Sequence, residues 1–240
     1  MLDIRRALAF LTEDPQVAEK VGLGAVISVV PILNLASFGY EVELARRVAR
    51  SEPQPLPAWG ALGQLWRQGA WLGLAYFVYS LPIFLLMMVG LVGGFVGLVG
   101  LAQNDTSQSV ATTMTALLLA GFGLIIVLAL VYGLVLSVFR PALVALYAQR
   151  PTFGTCFDVR GMWQFIMQQP RDYALLWGAE LVLGWVISLP VMLVAVATSI
   201  IPLLGPLVIW AVGGLLSIVL LAINGHLVGQ LLAARARLST

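Results

Sequence analysis

The sequence predicts an all-α integral membrane protein that forms one membrane domain over residues 1–240. Of these 240 residues, 60% are hydrophobic and only 10% are charged, whereas a soluble domain typically carries about 25% charged residues. A soluble protein of this size leaves much of its surface in water and could not bury so many apolar side chains. The chain also contains apolar stretches longer than the ~20 residues that a helix needs to cross a bilayer. Lipid is therefore its predicted solvent.

The N-terminal segment, residues 1–20, is predicted to be amphipathic. Charged side chains recur throughout it, from Asp3 to Lys20. This pattern lacks the uninterrupted apolar region and small-residue cleavage site of a signal peptide. We therefore expect the segment to be part of the folded protein.

The next stretch, residues 21–44, is apolar but is broken near its middle by Pro31 and Asn34. One interpretation is a single spanning helix, which would make a fifth span. The other is a re-entrant hairpin of two half-helices that enters and leaves the membrane on one side, with Pro31 and Asn34 at the turn. Broken helices are tolerated at membrane depth where protein covers the backbone, and we expect Asn34 to cap that backbone.

The distribution of basic residues favours the hairpin. The connections at 103–109 and 201–206 contain no Lys or Arg, whereas arginines populate the other connections and the C-terminus. By the positive-inside rule, the arginine-bearing segments and the C-terminus are cytoplasmic, and the two bare connections face outward. A spanning helix at the first stretch would leave Arg5, Arg6 and Lys20 outside. A hairpin leaves every basic residue in the cytoplasm.

Four longer apolar stretches predict transmembrane helices. They cover residues 70–101, 110–148, 174–204 and 207–232, with prolines at Pro82, Pro141 and Pro190. Each stretch is longer than a bilayer requires, so we expect tilt and proline kinks to take up the excess.

Two cytoplasmic segments show helical amphipathicity and are predicted to lie in the headgroup plane. In residues 56–71, the apolar face consists of Leu56, Trp59, Leu62 and Trp66. In residues 153–168, it consists of Cys156, Val159, Trp163 and Ile166. The tryptophans predicted to form a cytoplasmic aromatic belt are Trp59, Trp66, Trp71, Trp163 and Trp177.

A glycine run within 88–100 predicts close helix packing. It holds two pairs with four-residue spacing, Gly90 with Gly94 and Gly93 with Gly97, and such small residues let helices approach closely. The simplest interpretation is packing within one chain. An oligomer interface and a pore lining are the alternatives.

Charged and polar residues within the apolar spans are the best candidates for a functional site, because each costs ~2.5–3.5 kcal/mol at mid-membrane. They are Arg140, Glu180, His226, Asn224 and, after the first stretch, Glu41. Counted from the cytoplasmic side, Arg140, Glu180 and His226 lie at similar depths. We expect Arg140 to pair with Glu180, or His226 to do so if the last helix intervenes. Either they snorkel or pair structurally, or they line a cytoplasm-facing polar cavity.

The sequence predicts no cofactor, no metal and no enzymatic activity. It contains one His and one Cys, which makes a zinc site built on these residues improbable, and it carries no P-loop, HExxH or GxSxG motif. The single cysteine excludes an intrachain disulfide. A net charge of +2 gives no indication of nucleic-acid binding.

Several short motifs together resemble a known family. In the first half they are PILN at 31–34, GY at 39–40, RR at 46–47, PLPAW at 55–59 and YSLP at 79–82. In the second half they are RPALVALYA at 140–148, TFGTCFD at 152–158, Tyr173, IPLLGP at 201–206 and HLVGQ at 226–230. Over roughly residues 20–234 their order and spacing resemble the prokaryotic membrane family called domain of unknown function 4013. Ala58 and Gly60 stand where that family has acidic residues, so a binding role for those acidic groups is not carried over. The resemblance implies a fold and no activity.

Two classes of function are compatible with these patterns. The first is a non-enzymatic scaffold, or a subunit of a membrane assembly, whose partners are the lipid bilayer and either further copies of the chain or other membrane subunits. The second is a small transporter or channel with a cytoplasm-facing polar cavity. In both cases we expect a multi-pass protein of the prokaryotic plasma membrane.

Overall fold

The computed structural model describes residues 2–103, 107–198, 201 and 204–238, and every regular element in these ranges is helical. The eight α-helices of this described part are α1 (Ile4–Glu13), α2 (Val17–Val29), α3 (Leu35–Ala49), α4 (Leu62–Gln103), α5 (Gln108–Gln149), α6 (Val159–Gln168), α7 (Pro170–Thr198) and α8 (Leu204–Leu238). Short 3₁₀ segments occur at Trp59–Ala61 and Phe153–Phe157.

Four helices of the described part are long and apolar enough to cross a membrane. They cover Trp59–Leu101, Gln108–Gln149, Pro170–Thr198 and Gly205–Arg237. The predicted all-α membrane fold is therefore confirmed. The predicted outward connections fall partly on residues 104–106 and 202–203, and the predicted third span ends past 199–200; these positions lie outside the described residues.

The chain divides into two compact units. The core unit comprises Met1–Ala75 and Phe139–Thr240, and the two-helix unit comprises Tyr76–Val138. Within the two-helix unit, α4 and α5 run antiparallel. This follows from Gly90, which faces the Ile125 side chain, and Gly97, which faces Leu118.

In the core unit, the first apolar stretch is not one helix but two, α2 and α3, separated at residues 30–34. Val30 is extended (ψ 120°), as expected of a residue that precedes proline, and Ile32 has a positive φ of 71°. Asn34 does not cap α3 as predicted, because its side chain makes no capping hydrogen bond. The backbone already supplies acceptors there, since the Leu35 and Ala36 N–H groups donate to the Ile32 and Leu33 carbonyls.

Contacts with α8 give the direction of α2. The backbone at Gly214 comes so close to Ala25 that an added Cβ would lie 2.6 Å from the Ala25 carbonyl oxygen, and Gly24 packs on Ile218. Higher residue numbers in α2 thus meet lower numbers in α8, so the two helices run antiparallel.

The direction of α3 along α8 is the opposite. Gly225 packs against the Glu41 carbonyl and Gly229 against the Ala45 carbonyl, so α3 runs parallel to α8. The chain therefore runs along α8 in one direction through α2 and in the opposite direction through α3. Both ends of this hairpin lie at the same end of α8. This is the path of the predicted re-entrant hairpin rather than of a fifth span.

The predicted amphipathic segment at 56–71 is not a separate helix in the headgroup plane. From Leu62 onward it is the first part of α4, and Trp59 is buried rather than part of an aromatic belt. The Trp59 ring stacks on Tyr40 with 4.6 Å between centroids, and its Nε1 donates to the Lys20 carbonyl at 2.7 Å. Protein, not lipid, covers Leu56 and Trp59 of this apolar face, whereas Trp66 remains exposed.

The second predicted amphipathic segment does form a separate helix, α6, but with a different buried face. Met162, Phe165 and Ile166 are buried, whereas Val159 and Trp163 are about half exposed. Val159 and Trp163 were predicted on the same face as Ile166. A helix that is apolar on two sides gives a 3.6-residue pattern that does not say which side contacts protein.

Candidate functional site

An ionic cluster of three side chains brings together α3, α5 and α7 in the core unit. Arg140 Nη2 lies 2.8 and 2.9 Å from the two carboxylate oxygens of Glu41, and Arg140 Nη1 lies 3.5 Å from Glu180 Oε2. The first two distances are those of charge-assisted hydrogen bonds, and the third is longer than such a bond. We call Glu41, Arg140 and Glu180 the ionic cluster.

Backbone packing holds Glu41 in place. Its carbonyl faces Gly225 of α8, where an added Cβ would lie 2.8 Å from the carbonyl oxygen. Any larger residue at 225 would push α8 away from α3. The position of Glu41 thus depends on a glycine about 180 residues further along the chain.

The end of α5 positions Arg140. Pro141 follows it and lacks the N–H that would continue the helical hydrogen bonds. The next amide, of Ala142, donates to the Tyr173 hydroxyl of α7 at 3.1 Å. This bond holds α5 against α7 two turns from Glu180, which lies seven residues after Tyr173 in α7.

The ionic cluster has two carboxylates for one guanidinium, and it is largely buried. The Glu41 side chain is 1% exposed, Glu180 9% and Arg140 26%. Glu180 Oε1 is buried and has no hydrogen-bond partner among the residues that the structure describes. Buried polar atoms are usually hydrogen-bonded, so this oxygen is an exception that requires an explanation.

The sequence predicted Arg140 and Glu180 as a pair, and the structure brings them together, but Glu41 is the closer partner. His226 does not satisfy Glu180 in the described part of the chain. Its ring stacks on Phe10 of α1 with 4.3 Å between centroids, and its Nδ1 lies 3.1 Å from Gln230 Nε2. His226 faces α1 because the amphipathic N-terminal helix packs on that side of α8.

The other predicted polar residue, Asn224, is buried beside Gly225, and its Oδ1 has no hydrogen-bond partner in the described ranges. Among the predicted packing glycines, Gly90 and Gly97 face α5, while a Cβ added at Gly93 or Gly94 would meet no atom within 4 Å. In each pair with four-residue spacing, one glycine therefore contacts α5 and the other has room for a side chain.

Sequence reasoning missed the role of Arg46. This side chain donates to the carbonyl oxygens of Ala148 (2.8 Å) and Tyr147 (3.3 Å) at the end of α5, and to Gln68 Oε1 of α4 (2.9 Å). A cation at a helix C-terminus satisfies free carbonyls and complements the helix dipole. In the sequence, Arg46 was only a marker of the cytoplasmic side.

A second ion pair fixes the start of the hairpin. Lys20 Nζ lies 2.8 Å from Asp14 Oδ2 and donates to the Leu56 carbonyl at 3.1 Å. Burial alone would raise the pKa of the Asp14 carboxyl. The hydrogen bonds from Lys20 and the Gln16 amide, with the Lys20 charge, outweigh burial and leave the pKa below its usual value.

The single cysteine is not a reactive thiol. Cys156 is fully buried in the 3₁₀ segment before α6, and burial raises the pKa of its thiol to about 11. A thiol reacts as the thiolate, so Cys156 is unreactive near neutral pH. Within the described residues, no three His, Cys, Asp or Glu side chains are grouped to hold a metal ion.

A comparison with protein families gives a match over residues 23–196 to the family described as Protein of unknown function (DUF4013). This match includes the hairpin from residue 23 onward and all three residues of the ionic cluster. Curated proteins and solved structures give no match.

Proposed function

This chain belongs to the family Protein of unknown function (DUF4013), and from that premise and the geometry we propose that it is a non-enzymatic scaffold or subunit of a membrane assembly. We place it in the prokaryotic plasma membrane as a multi-pass protein with a cytoplasmic C-terminus. The lipid bilayer is its solvent, and further copies of the chain or other membrane subunits are its partners.

The observation that carries this proposal is the uncovered apolar surface of the two-helix unit. None of its described residues, from Tyr76 to Val138, is buried. A Cβ added at Gly93 or Gly94 would meet no atom within 4 Å, on a helix whose Gly90 and Gly97 already contact α5. Gly94 borders an apolar groove that Thr115, Leu119 and Phe122 of α5 also line, and small residues beside an unfilled groove allow a further helix to approach closely within the membrane.

The core unit supports the same proposal because its interior is closed by backbone contacts. Gly39 of α3 packs on the Leu65 carbonyl and Gly69 of α4 packs on the Leu35 carbonyl, while α8 packs on the other side of α3 through Gly225. Glycine contacts of this kind leave no room for a wide aqueous path beside α3. A rigid core with a free apolar helix pair is suited to assembly.

The test is the particle mass in native-lipid nanodiscs, compared between wild type and Gly93→Leu/Gly94→Leu. We expect a wild-type particle larger than one chain and its lipids, and a smaller particle for the variant. Gly133→Leu is the matched control, since Gly133 also lies on the two-helix unit with no atom within 4 Å. A wild-type protein that is monomeric in these discs would contradict the proposal, as would an equal loss in the control.

A second candidate function is a small transporter, favoured by the unpartnered Glu180 Oε1. Glu180 is a buried carboxylate whose neighbour Arg140 already donates hydrogen bonds to Glu41. A coupling ion could bind at such a carboxylate. In proteoliposomes, this function requires an ion flux that disappears in Glu180→Gln. The absence of flux in wild type would leave the scaffold proposal as the better account.

A further inference from the structure

A basic pocket lies at the ends of α3, α5 and α8 in the core unit. It has a volume of about 790 Å³, and its lining includes Arg46, Arg50, Arg150 and Arg235, with Asp158 as the acidic member. Pockets of ~300–1,000 Å³ are the size that holds small ligands. We call these residues and the space between them the basic pocket.

The charges of the basic pocket do not cancel. Asp158 accepts a hydrogen bond from the Gly161 amide at the start of α6, so it serves as a helix cap. Arg46 has Glu43 at 3.4 Å and Arg50 has Glu52 at 3.9 Å. Glu43 and Glu52 also lie 3.2 and 3.9 Å from Arg47. With Arg47 counted, five arginines face three carboxylates, and three helix C-termini add only about −0.5 charge each, so a small positive charge remains at the pocket.

Two of its arginines have no acidic partner. Arg150 is exposed, and its side chain makes no hydrogen bond or ion pair with any described residue. Arg235 is hydrogen-bonded to Gln168 and lies over the Phe165 ring, 3.8 Å from its centroid. Neither neighbour is charged, so both guanidiniums keep their full positive charge and a free set of donors for an oxyanion.

The basic pocket lies at the ends of the helices, and this position indicates which anion is available to bind in it. Arg46 and Arg235 lie in the last turns of α3 and α8, and Arg50 and Arg150 directly follow α3 and α5. The pocket therefore lies where two membrane-spanning helices, α5 and α8, end. The neighbouring α6 exposes Val159, Trp163 and Met167 on one face, and tryptophan is enriched at the headgroup level. Phosphates of the lipid headgroups are the anions concentrated at that level.

We propose that the basic pocket binds the phosphate of an anionic phospholipid headgroup between Arg50, Arg150 and Arg235. Leu146 and Leu232 also line it and offer apolar surface to the first carbons of the acyl chains. This inference goes beyond the scaffold proposal, and it stands whether or not the two-helix unit binds a partner.

The test is native mass spectrometry of the purified full chain with equal amounts of phosphatidylglycerol and phosphatidylcholine. We expect wild type to retain phosphatidylglycerol preferentially, and Arg50→Gln/Arg150→Gln to bind it more weakly, by roughly fivefold for each arginine removed. Both side chains are exposed, so the double variant should fold; its elution and melting profile check this. Arg5→Gln/Arg171→Gln removes the same two charges from exposed positions outside the basic pocket and should bind as wild type does.

Three results would overturn the proposal. The first is equal retention of the two lipids by wild type. The second is a loss in Arg5→Gln/Arg171→Gln as large as in Arg50→Gln/Arg150→Gln, which would assign the effect to overall charge. The third is full displacement of phosphatidylglycerol by millimolar inorganic phosphate, which would make free phosphate rather than a headgroup the ligand of the same arginines.

Discussion

Arg140 and Glu41 form a two-oxygen ionic contact, at 2.8 and 2.9 Å, although 99 residues separate them in the chain. The contact is made from one membrane-spanning helix to the returning half of the hairpin. A buried ion pair adds little net stability, but removing one partner leaves the other charge buried and uncompensated.

The first prediction is therefore a strong coupling between these two residues. Arg140→Met should destabilise the protein by about 3–5 kcal/mol, because it leaves Glu41 unpaired. Adding Glu41→Gln should recover part of that loss. The measurement is a double-mutant cycle read by unfolding in detergent. The same cycle with Glu180→Gln should give a weaker coupling, since Glu180 lies 3.5 Å from Arg140. Simply additive losses for Arg140 and Glu41 would disprove the contact.

The second prediction concerns the close contact of α3 and α4. In Gly39→Ala, the new methyl would overlap the Leu65 carbonyl oxygen, and we expect a loss of about 1–3 kcal/mol, the usual cost of overpacking. Gly63→Ala is the matched control, because Gly63 lies on α4 with no atom within 4 Å. It should be neutral or stabilising by up to ~1 kcal/mol. Equal melting temperatures for the two variants would show that α3 and α4 are not in backbone contact.

The third prediction is a pH dependence from Asp14. Its pKa is lowered in the folded protein, so its contribution to the free energy of unfolding is present above the unfolded pKa, near 3.9. That contribution is lost as the pH falls through the lower, folded pKa. The melting temperature of wild type should exceed that of Asp14→Asn near neutral pH, and the difference should shrink below about pH 4. A difference that is constant with pH would contradict the lowered pKa.

The sequence predicted the four long helices and the hairpin because both depend on properties summed over many residues. Apolar length identifies a span, and the positions of Arg5, Arg6 and Lys20 favour a cytoplasmic N-terminus, and hence the hairpin, under the positive-inside rule. The sequence did not predict that Trp59 is buried against Tyr40. In a membrane protein, apolar periodicity is the same whether a face meets lipid or protein.

The ionic cluster was predictable in part. Glu41 lies nine residues before Arg50, as Arg140 lies ten before Arg150, so the same count of depth, applied to the hairpin, would have placed Glu41 beside Arg140. The choice of Glu180 as the main partner relied on helices adjacent in sequence. The predicted packing glycines all came from the run at 88–100, so the closer contacts that the glycines of α8 make were not predicted. The Gly225-x-x-x-Gly229 spacing, which packs on Glu41 and Ala45, carries the same signal in a more polar context.

Cys156 limits the use of cysteine labelling to determine topology. This residue is buried and its thiol pKa is raised to about 11, so it should stay unlabelled on whichever side it lies. A Cys156→Ser background with exposed reporters avoids the ambiguity. Ser107→Cys, in the first bare connection, and Gln164→Cys, on α6, then serve as the outside and inside references.

The ionic cluster and the basic pocket both require that α3 returns to the side from which α2 started. Labelling of Glu13→Cys and Gln54→Cys, which are exposed before and after the hairpin, tests this most directly. With a membrane-impermeant maleimide on intact cells, we predict labelling of Ser107→Cys alone. Glu13→Cys, Gln54→Cys and Gln164→Cys should react only after permeabilisation. Labelling of Glu13→Cys but not Gln54→Cys in intact cells would mean that residues 21–44 cross the membrane, and would contradict the hairpin and the two sites that depend on it.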